Sequence, residues 1–388
     1  MKIAFLIPTL RYGGAEKIAT ELSFNLPKDW DVVFIVFENK VEYPYRGRLI
    51  SLDLPSEKNI LKDTKNFFFR ILRLRKIAKK ENFDAIISFD DYANLLNIIA
   101  GKKPIISVHK SIVMADKGKS AIKRMMSKLL RSLFYPIASK IVAVSEGVNE
   151  ELMNYAKIDP GKITVINNPY NIESIQKKAN EKPEVKIQGD YVINIGRMEP
   201  QKGQWHLIRA FSKVRTKYPD LKLVILGRGS ISDYLRKLIQ DMKLSNSVLL
   251  IETRMDNIYP ILRGAKLFVL PSIFEGFSNV IVESLAIGIP VISTDCKTGP
   301  RGILKVEGAT ENRVESYGIL VPVPDGILKT ADQPLTKEEV ELADAIIALL
   351  EDEKTRKEFS EKGKARANDF DVRNVIPKYI ALMTSKEK

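Results

Sequence analysis

The chain has 388 residues, too many for one ordinary core and suited to two domains of about 200 residues each. Its composition, 45% hydrophobic and 28% charged, is that of a globular protein, and no apolar run reaches the ~20 residues that span a bilayer, which speaks against an integral membrane chain. A net charge of +14 favours phosphate-bearing partners, one cysteine excludes an internal disulfide and suits a reducing cytoplasm, and two histidines leave little for a His-rich metal site.

Residues 2–9 are apolar and broken by Pro8, so they read as a first buried strand and not as a signal peptide. Arg11-Tyr-Gly-Gly-Ala-Glu follows as a glycine turn, and residues 16–26 as an amphipathic helix with Ile18, Leu22 and Leu26 on one side. Gly13 and Gly14 make either a simple tight turn or a turn whose N–H groups approach a phosphate. After a strand over 31–37, residues 61–80 repeat Phe67, Phe68, Ile71, Leu74 and Ile77 at helical spacing, with Lys65, Arg70, Arg73, Lys76 and Lys80 interleaved. Such a helix either faces a core with a solvated basic side or lies on an anionic membrane surface. Residues 117–131, with Met125, Met126, Leu129, Leu130 and Leu133 nearby, repeat the character, and two such segments favour the membrane. Residues 1–180 hold 30 Lys+Arg against 19 Asp+Glu and residues 181–388 hold 32 against 29, so the positive field belongs to the first half.

Residues 84–89 read as a strand followed by Asp90, Asp91 and a helix. Residues 104–108 read as a strand ending at His109, either a packing histidine or one at the edge where ligands bind. Strands over 140–146 and 163–169 close a first domain over 1–170, and the polar, lysine-rich stretch 171–190 reads as a hinge. The second domain, 171–371, restarts with Tyr-Val-Ile-Asn-Ile-Gly-Arg-Met-Glu-Pro-Gln-Lys-Gly, a strand and loop before a helix near Gln204. Gly196 permits close backbone approach, and Arg197 and Lys202 either converge on a diphosphate or are ordinary surface cations. A strand over 221–226 ends in Gly227-Arg-Gly, and the next, from Val248, leads to Glu252, Thr253 and Arg254.

Residues 266–270 are a buried strand. The loop beyond Pro271 carries Glu275 and Gly276, Ser278 is expected to cap a helix over 280–286, and Gly288 and Pro290 stop it. The next strand starts at Pro290, which makes a βαβ unit whose helix N-terminus meets the ligand edge of a parallel sheet. Glu275 and Glu283 stand two helical turns apart in this apolar setting, where an unpaired carboxylate is costly. They reach either water or a donor-rich ligand such as a ribose diol. A last strand lies near 316–322, and the tail holds two helical patterns, of which the last, within 372–388, is expected to cross back onto the first domain.

The run Glu-Gly-Phe-Ser-Asn-Val-Ile-Val-Glu over 275–283 resembles the Glu-x7-Glu signature of retaining glycosyltransferases of family 4. Gly-Gly-Ala-Glu from Gly13, Val-Ser-Glu from Val144, and Gly-Arg followed by Lys-Gly from Gly196 resemble the family too. The likeness covers nearly the whole chain and is strongest from Gly196 to Glu283. It implies an α/β GT-B fold, with two doubly wound Rossmann-like domains facing a cleft, the first for the acceptor and the second for a nucleotide sugar. It also implies donor contacts from Gly13, Gly14, Gly196, Arg197, Lys202, Gly227, Arg228, Arg254, Glu275, Gly276, Phe277, Ser278, Asn279 and Glu283, with Glu283 on the ribose and Glu275 on the sugar. Acceptor contacts are implied for Glu16, Asp91 and His109, and roles at the reaction centre for His109, Arg197, Lys202 and Glu275. The glycine usual after the strand from Val248 is replaced by Glu252 and Thr253, which leaves a base contact at Arg254 open. Residues 295–303 resemble a variant found in some hexosamine-transferring members.

The resemblance implies no cofactor beside the donor, a UDP-sugar. No Asp-x-Asp pair is recognised, so no metal is expected. Transfer is expected with retention, on one face of the sugar, to a glycan or lipid-diphosphate-linked acceptor. The protein would be cytoplasmic and bound peripherally to an anionic membrane surface at its inner face, with no nucleic acid. Two alternatives stay open: a nucleotide-sugar 2-epimerase of the same fold, which needs no acceptor, and a basic nucleic-acid-binding protein, which does not account for the two glutamates.

Overall fold

Short runs of Val, Ile, Leu and Phe form the strands, and the amphipathic stretches between them cover both faces of each sheet. The computed structural model describes residues 1–11, 13–56, 60–117, 120–253, 255–304, 313–315 and 317–385. It divides into two units, Met1–Tyr170 with Val372–Lys388, and Asn171–Asp371.

The first unit contains β1 (Lys2–Ile7), α1 (Gly14–Asn25), β2 (Asp31–Val36), β3 (Arg48–Ser51), α2 (Ile60–Glu81), β4 (Ala85–Ser88), α3 (Asp91–Ala100), β5 (Pro104–Val108), α4 (Ile112–Lys117), α5 (Ala121–Phe134), β6 (Lys140–Ala143), α6 (Glu146–Asn154) and β7 (Ile163–Val165). Its seven strands run parallel in the order β3-β2-β1-β4-β5-β6-β7. The sequence order reverses between β1 and β4, and the loops leaving those strands flank the crevice in which ligands of such sheets bind. On one face Ala4, Leu6, Val33, Ile35 and Ile86 meet Leu74 and Ala78 of α2 and Ala93 and Leu96 of α3.

The second unit contains α7 (Ile172–Ala179), β8 (Tyr191–Ile195), α8 (Gln204–Lys217), β9 (Lys222–Leu226), α9 (Ser232–Asp241), β10 (Val248–Ile251), α10 (Tyr259–Arg263), β11 (Leu267–Leu270), α11 (Asn279–Ile287), β12 (Val291–Thr294), α12 (Pro300–Leu304), β13 (Arg313–Glu315), β14 (Gly318–Val321), α13 (Lys337–Glu351) and α14 (Glu353–Ala367). The strand order is β10-β9-β8-β11-β12-β14-β13, parallel except for β13, and the reversal falls between β8 and β11. α15 (Val372–Thr384) returns to the first unit, where Lys140 Nζ donates to Leu382 O at 2.9 Å.

Four sequence expectations change. The expected hinge holds α7, because Ile172, Ile175 and Ala179 sit on one buried face among the lysines, and the Asn171 side chain caps the helix. The tail has three helices and not two, and the short β13 pairs antiparallel with β14. On α2 the apolar stripe faces the core: Leu74 is buried and Phe67, Ile71 and Ile77 pack against it, with only Phe68 of the expected set turned out. Arg70, read as part of the basic face, is wholly buried. Its guanidinium donates to the Leu54 and Pro55 carbonyls and the Tyr92 hydroxyl and stacks on Phe37, so its charge is satisfied inside.

α5 behaves differently. Ile122, Met125, Leu129 and Leu133 are more than half exposed, and Arg131 is the helix residue that is buried. No described helix is long and apolar enough to cross a membrane.

Candidate active site

In the second unit the loops leaving β8 and β11 are laced together. Ile273 N donates to Gln201 O at 2.8 Å, and Gln201 Nε2 to Phe274 O at 2.9 Å. These bonds bring Lys202 to Glu275: Nζ lies 2.6 Å from Oε1, and the Ser272 hydroxyl donates to the same oxygen at 2.6 Å. Glu275 is buried, so this charge-assisted cluster acts in a low dielectric. The Thr298 hydroxyl donates to the Glu275 carbonyl. Gly299, at φ +84°, presses on the same loop, since a Cβ there would stand 2.9 Å from Phe277 Cα. Phe277 rests edge-on against Phe370 at 5.6 Å.

α11 starts directly after this loop and ends at Gly288 in the left-handed conformation, φ +86°. It carries Glu283, buried in its middle. Ser278 holds the N-cap position, but its side chain makes no capping bond, contrary to expectation; it is buried in the unit instead. The loop after β9 joins the same edge. Gly227 N donates to Ile251 O at 3.0 Å, and a Cβ on Gly227, at φ +148°, would meet Gly196 O at 2.0 Å, so only glycine fits. Met198 N donates to Arg228 O at 3.1 Å. Arg197 and Arg228 are exposed there and pair with no carboxylate among the described residues. Arg254 lies outside the described residues.

In the first unit Gly13 precedes α1, and the Glu16 carboxylate folds over it, so that a Cβ on Gly13 would lie 2.1 Å from Oε2. Gly14 opens the helix. Asp91, at the start of α3, accepts from Arg131 Nη2 at 3.1 Å and from the Tyr135 hydroxyl at 3.3 Å, and pairs with Lys110 at 3.2 Å. Arg131 also reaches the buried Asp116 at 2.6 Å. Burial alone would raise the Asp91 pKa, but Lys110 and Arg131 outweigh it and hold the carboxyl below its usual range. His109 follows β5. Its Nε2 is 2.8 Å from the Ser107 hydroxyl, and burial pushes its pKa down to about 4, so the ring is neutral.

Two Asp-x-Asp pairs do occur, at 29–31 and 369–371, contrary to the sequence reading, and three of their four carboxylates are held by protein partners. Asp31, at the start of β2, pairs with Arg48 at 3.1 Å. In the second pair, Asp369 is held by Arg366 and Asp371 accepts from Ile172 N at 3.4 Å.

The family described as Glycosyltransferase Family 4 matches residues 12–174, and that described as Glycosyl transferases group 1 matches residues 175–325. An uncharacterized glycosyltransferase of Methanocaldococcus jannaschii is 33% identical over 81% of this chain and 82% of its own. The N-acetylgalactosamine-N,N'-diacetylbacillosaminyl-diphospho-undecaprenol 4-alpha-N-acetylgalactosaminyltransferase of Campylobacter jejuni is 31% identical over 95% of this chain and 96% of its own. This chain belongs to the family 4 glycosyltransferases. Its two parallel sheets are those of the GT-B fold, shared with Anabaena HepE in complex with UDP at TM-score 0.73 and 20% identity, over the whole of both chains.

In this glycosyltransferase the expected donor residues Gly196, Arg197, Lys202, Gly227, Arg228, Glu275 and Glu283 gather about one sheet edge of the second unit. Gly13, Gly14, Glu16, Asp91 and His109 gather at the corresponding edge of the first. Four residues around them escaped the sequence reading. Ser272 and Thr298 fix Glu275, Ser107 holds His109, and Lys110 joins Asp91. Ser107, Ser272 and Thr298 lay in stretches already singled out, and Lys110 did not. Cys296 is no candidate nucleophile: burial, then the nearby Glu275, pushes its thiol up to about 12.

Proposed function

We propose that this glycosyltransferase moves a hexose or N-acetylhexosamine from a UDP-sugar to a hydroxyl of a lipid-diphosphate-linked glycan, with retention, without a divalent metal, at the inner face of a membrane. The Lys202–Glu275 contact at the reversal point of the second sheet carries this reading. Breaking the anomeric bond leaves negative charge on the diphosphate, and preformed cations lower that barrier more than they tighten ground-state binding. Lys202, Arg197 and Arg228 supply the charge, while Glu275 holds sugar hydroxyls and Glu283 the ribose. Neutral His109 donates or accepts a hydrogen bond near the sugar and carries no charge.

The acceptor and donor classes are supported by names. The Campylobacter relative acts, as its name states, on a diphospho-undecaprenol substrate, and HepE is described in complex with UDP. The exposed apolar side of α5, flanked by Lys123, Arg124 and Lys128, supports seating on an anionic bilayer. The matched relatives are transferases, which leaves the epimerase reading without support.

The test is a screen of UDP-, GDP- and ADP-sugars with an undecaprenyl-diphosphate-linked oligosaccharide, reading nucleoside diphosphate release and the product anomer by NMR. Acceptor-dependent UDP release, an anomer matching the donor and activity undiminished by EDTA are expected. Release from a sugar of another nucleotide alone, or an inverted anomer, would overturn it.

A further inference from the structure

α5 is inverted for a surface helix. Amphipathic helices of globular domains bury an apolar stripe and leave their charges in water. Here Ile122, Met125, Met126, Leu129 and Leu133 are more than half exposed, and Arg131 is the helix residue that is buried. The helical repeat gathers these five side chains on one side and sets Arg131 on the opposite one. Arg131 Nη1 lies 2.6 Å from Asp116 Oδ2 and its Nη2 3.1 Å from Asp91 Oδ2, and Tyr135, directly after the helix, donates to Asp91 Oδ1 at 3.3 Å. The segment with the exposed stripe thus brings both Arg131 and Tyr135 to the Asp91 carboxylate, which also meets Lys110.

Helical geometry makes the two sides of α5 depend on each other. A coil gathers neither the stripe nor a guanidinium opposite to it, and a helix of 14 residues that buries so little apolar area is marginal in water. A lipid surface that covers the stripe favours the helix, and the helix is the form that delivers Arg131 to its carboxylates. α5 contains no Asp or Glu and carries Lys123, Arg124 and Lys128 as well as Arg131, so the surface that fits is an anionic bilayer.

We propose that α5 couples the bilayer to the acceptor site. Lipid on its apolar side fixes the helix, Arg131 and Tyr135 then fix Asp91, and transfer to a given acceptor is faster on an anionic surface than in water. The gain is bounded by how much better lipid binds the helix than the coil. Arg131 is a positioning residue, acting through Asp91. This rests on the reading of Asp91 as an acceptor contact and of α5 as the membrane seat.

The probe is vesicles of phosphatidylcholine with phosphatidylglycerol, set against phosphatidylcholine alone, and the first readout is amide hydrogen exchange of the 388-residue chain. Anionic vesicles should slow exchange throughout α5 and, in the wild type, also at the start of α3, residues 91–94. Arg131→Gln should keep the first effect and lose the second. Because it strands the buried Asp116, Arg131→Gln/Asp116→Asn is measured beside it, with the same outcome expected. The second readout is nucleoside diphosphate release with a water-soluble, short-chain prenyl-diphosphate-linked oligosaccharide as acceptor. Anionic vesicles should raise the wild-type rate about tenfold, and the rise should disappear in Arg131→Gln/Asp116→Asn and in Met125→Ser/Leu129→Ser. Slower exchange confined to α5 overturns the coupling and leaves the membrane seat standing. Unchanged exchange at both places overturns both. Slowing at both places with an unchanged rate overturns the activation and, with it, the reading of Asp91 as an acceptor contact.

Discussion

Lys202 and Glu275 each satisfy the other inside the second unit, and that mutual dependence separates binding from stability. Lys202→Ala strands a buried carboxylate, a loss of about 3 kcal/mol. The double variant Lys202→Ala/Glu275→Gln should recover part of it, and urea denaturation of the two measures the difference. Activity should behave otherwise: Glu275→Gln and the double variant should each lose roughly 10²-fold or more in kcat/KM, read by nucleoside diphosphate release. His109 gives a pH prediction. An unfolded imidazole titrates near 6.5 and the native one near 4. Between those values the unfolded state binds a proton that the native state does not, so stability rises with pH across the window and is flat above it. Denaturation midpoints at pH 5 and 7 should draw together in His109→Gln. At this scale the charged residues of the site were legible because the motifs carry them. Thr298 was not, since its bond to the Glu275 carbonyl exists only once the loops after β11 and β12 are brought together, and Ser272 was not, since its spacing from Glu275 does not say that the loop turns its hydroxyl onto the carboxylate.

The two basic amphipathic helices show what periodicity can and cannot tell. Both were recognisable as helices from their spacing, yet the pattern of α2 alone does not say whether its stripe meets a core or a bilayer. In the folded chain Leu74 of α2 is fully covered, while Met125 and Leu129 of α5 are more than half exposed. Leu74→Ala should therefore cost about 2–5 kcal/mol of stability. Met125→Ser/Leu129→Ser should leave the melting temperature nearly unchanged and weaken binding to vesicles containing anionic lipid at least tenfold. Sedimentation with vesicles checks the second and calorimetry the first. Helix stops were easier to read: Gly288 takes the left-handed backbone expected where α11 ends. The hinge over 171–190 misled because four lysines and several polar residues hide the spacing of Ile172, Ile175 and Ala179.

Over the whole molecule, alternating apolar runs and amphipathic stretches made the doubly wound α/β architecture readable, and the placement of glycines after β1, β8 and β9 marked the ligand edges. What composition leaves open is which cations stay available. Many lysines and arginines are spent on neighbours, as Arg48 is on Asp31 and Glu81, whereas Arg197 and Arg228 pair with no carboxylate among the described residues. The surplus of positive charge in the first half should make association with anionic vesicles strongly salt-dependent. Raising NaCl from about 0.1 to 0.5 M, which shortens the screening length well below ~10 Å, should release most of the bound protein. Retention at high salt would mean that apolar insertion of α5 dominates.

α15 completes the first unit although the whole of the second lies before it in the chain. At the ~5–20 residues per second of synthesis, the intervening stretch takes roughly 10–40 s to emerge. When that interval ends the donor-side unit has all of its parts, while the first unit still lacks the helix that brings the buried Tyr379. The half of the enzyme that leaves the ribosome first is thus the last to close, and truncating the carboxyl-terminal helix strikes the opposite end of the polypeptide from the cut.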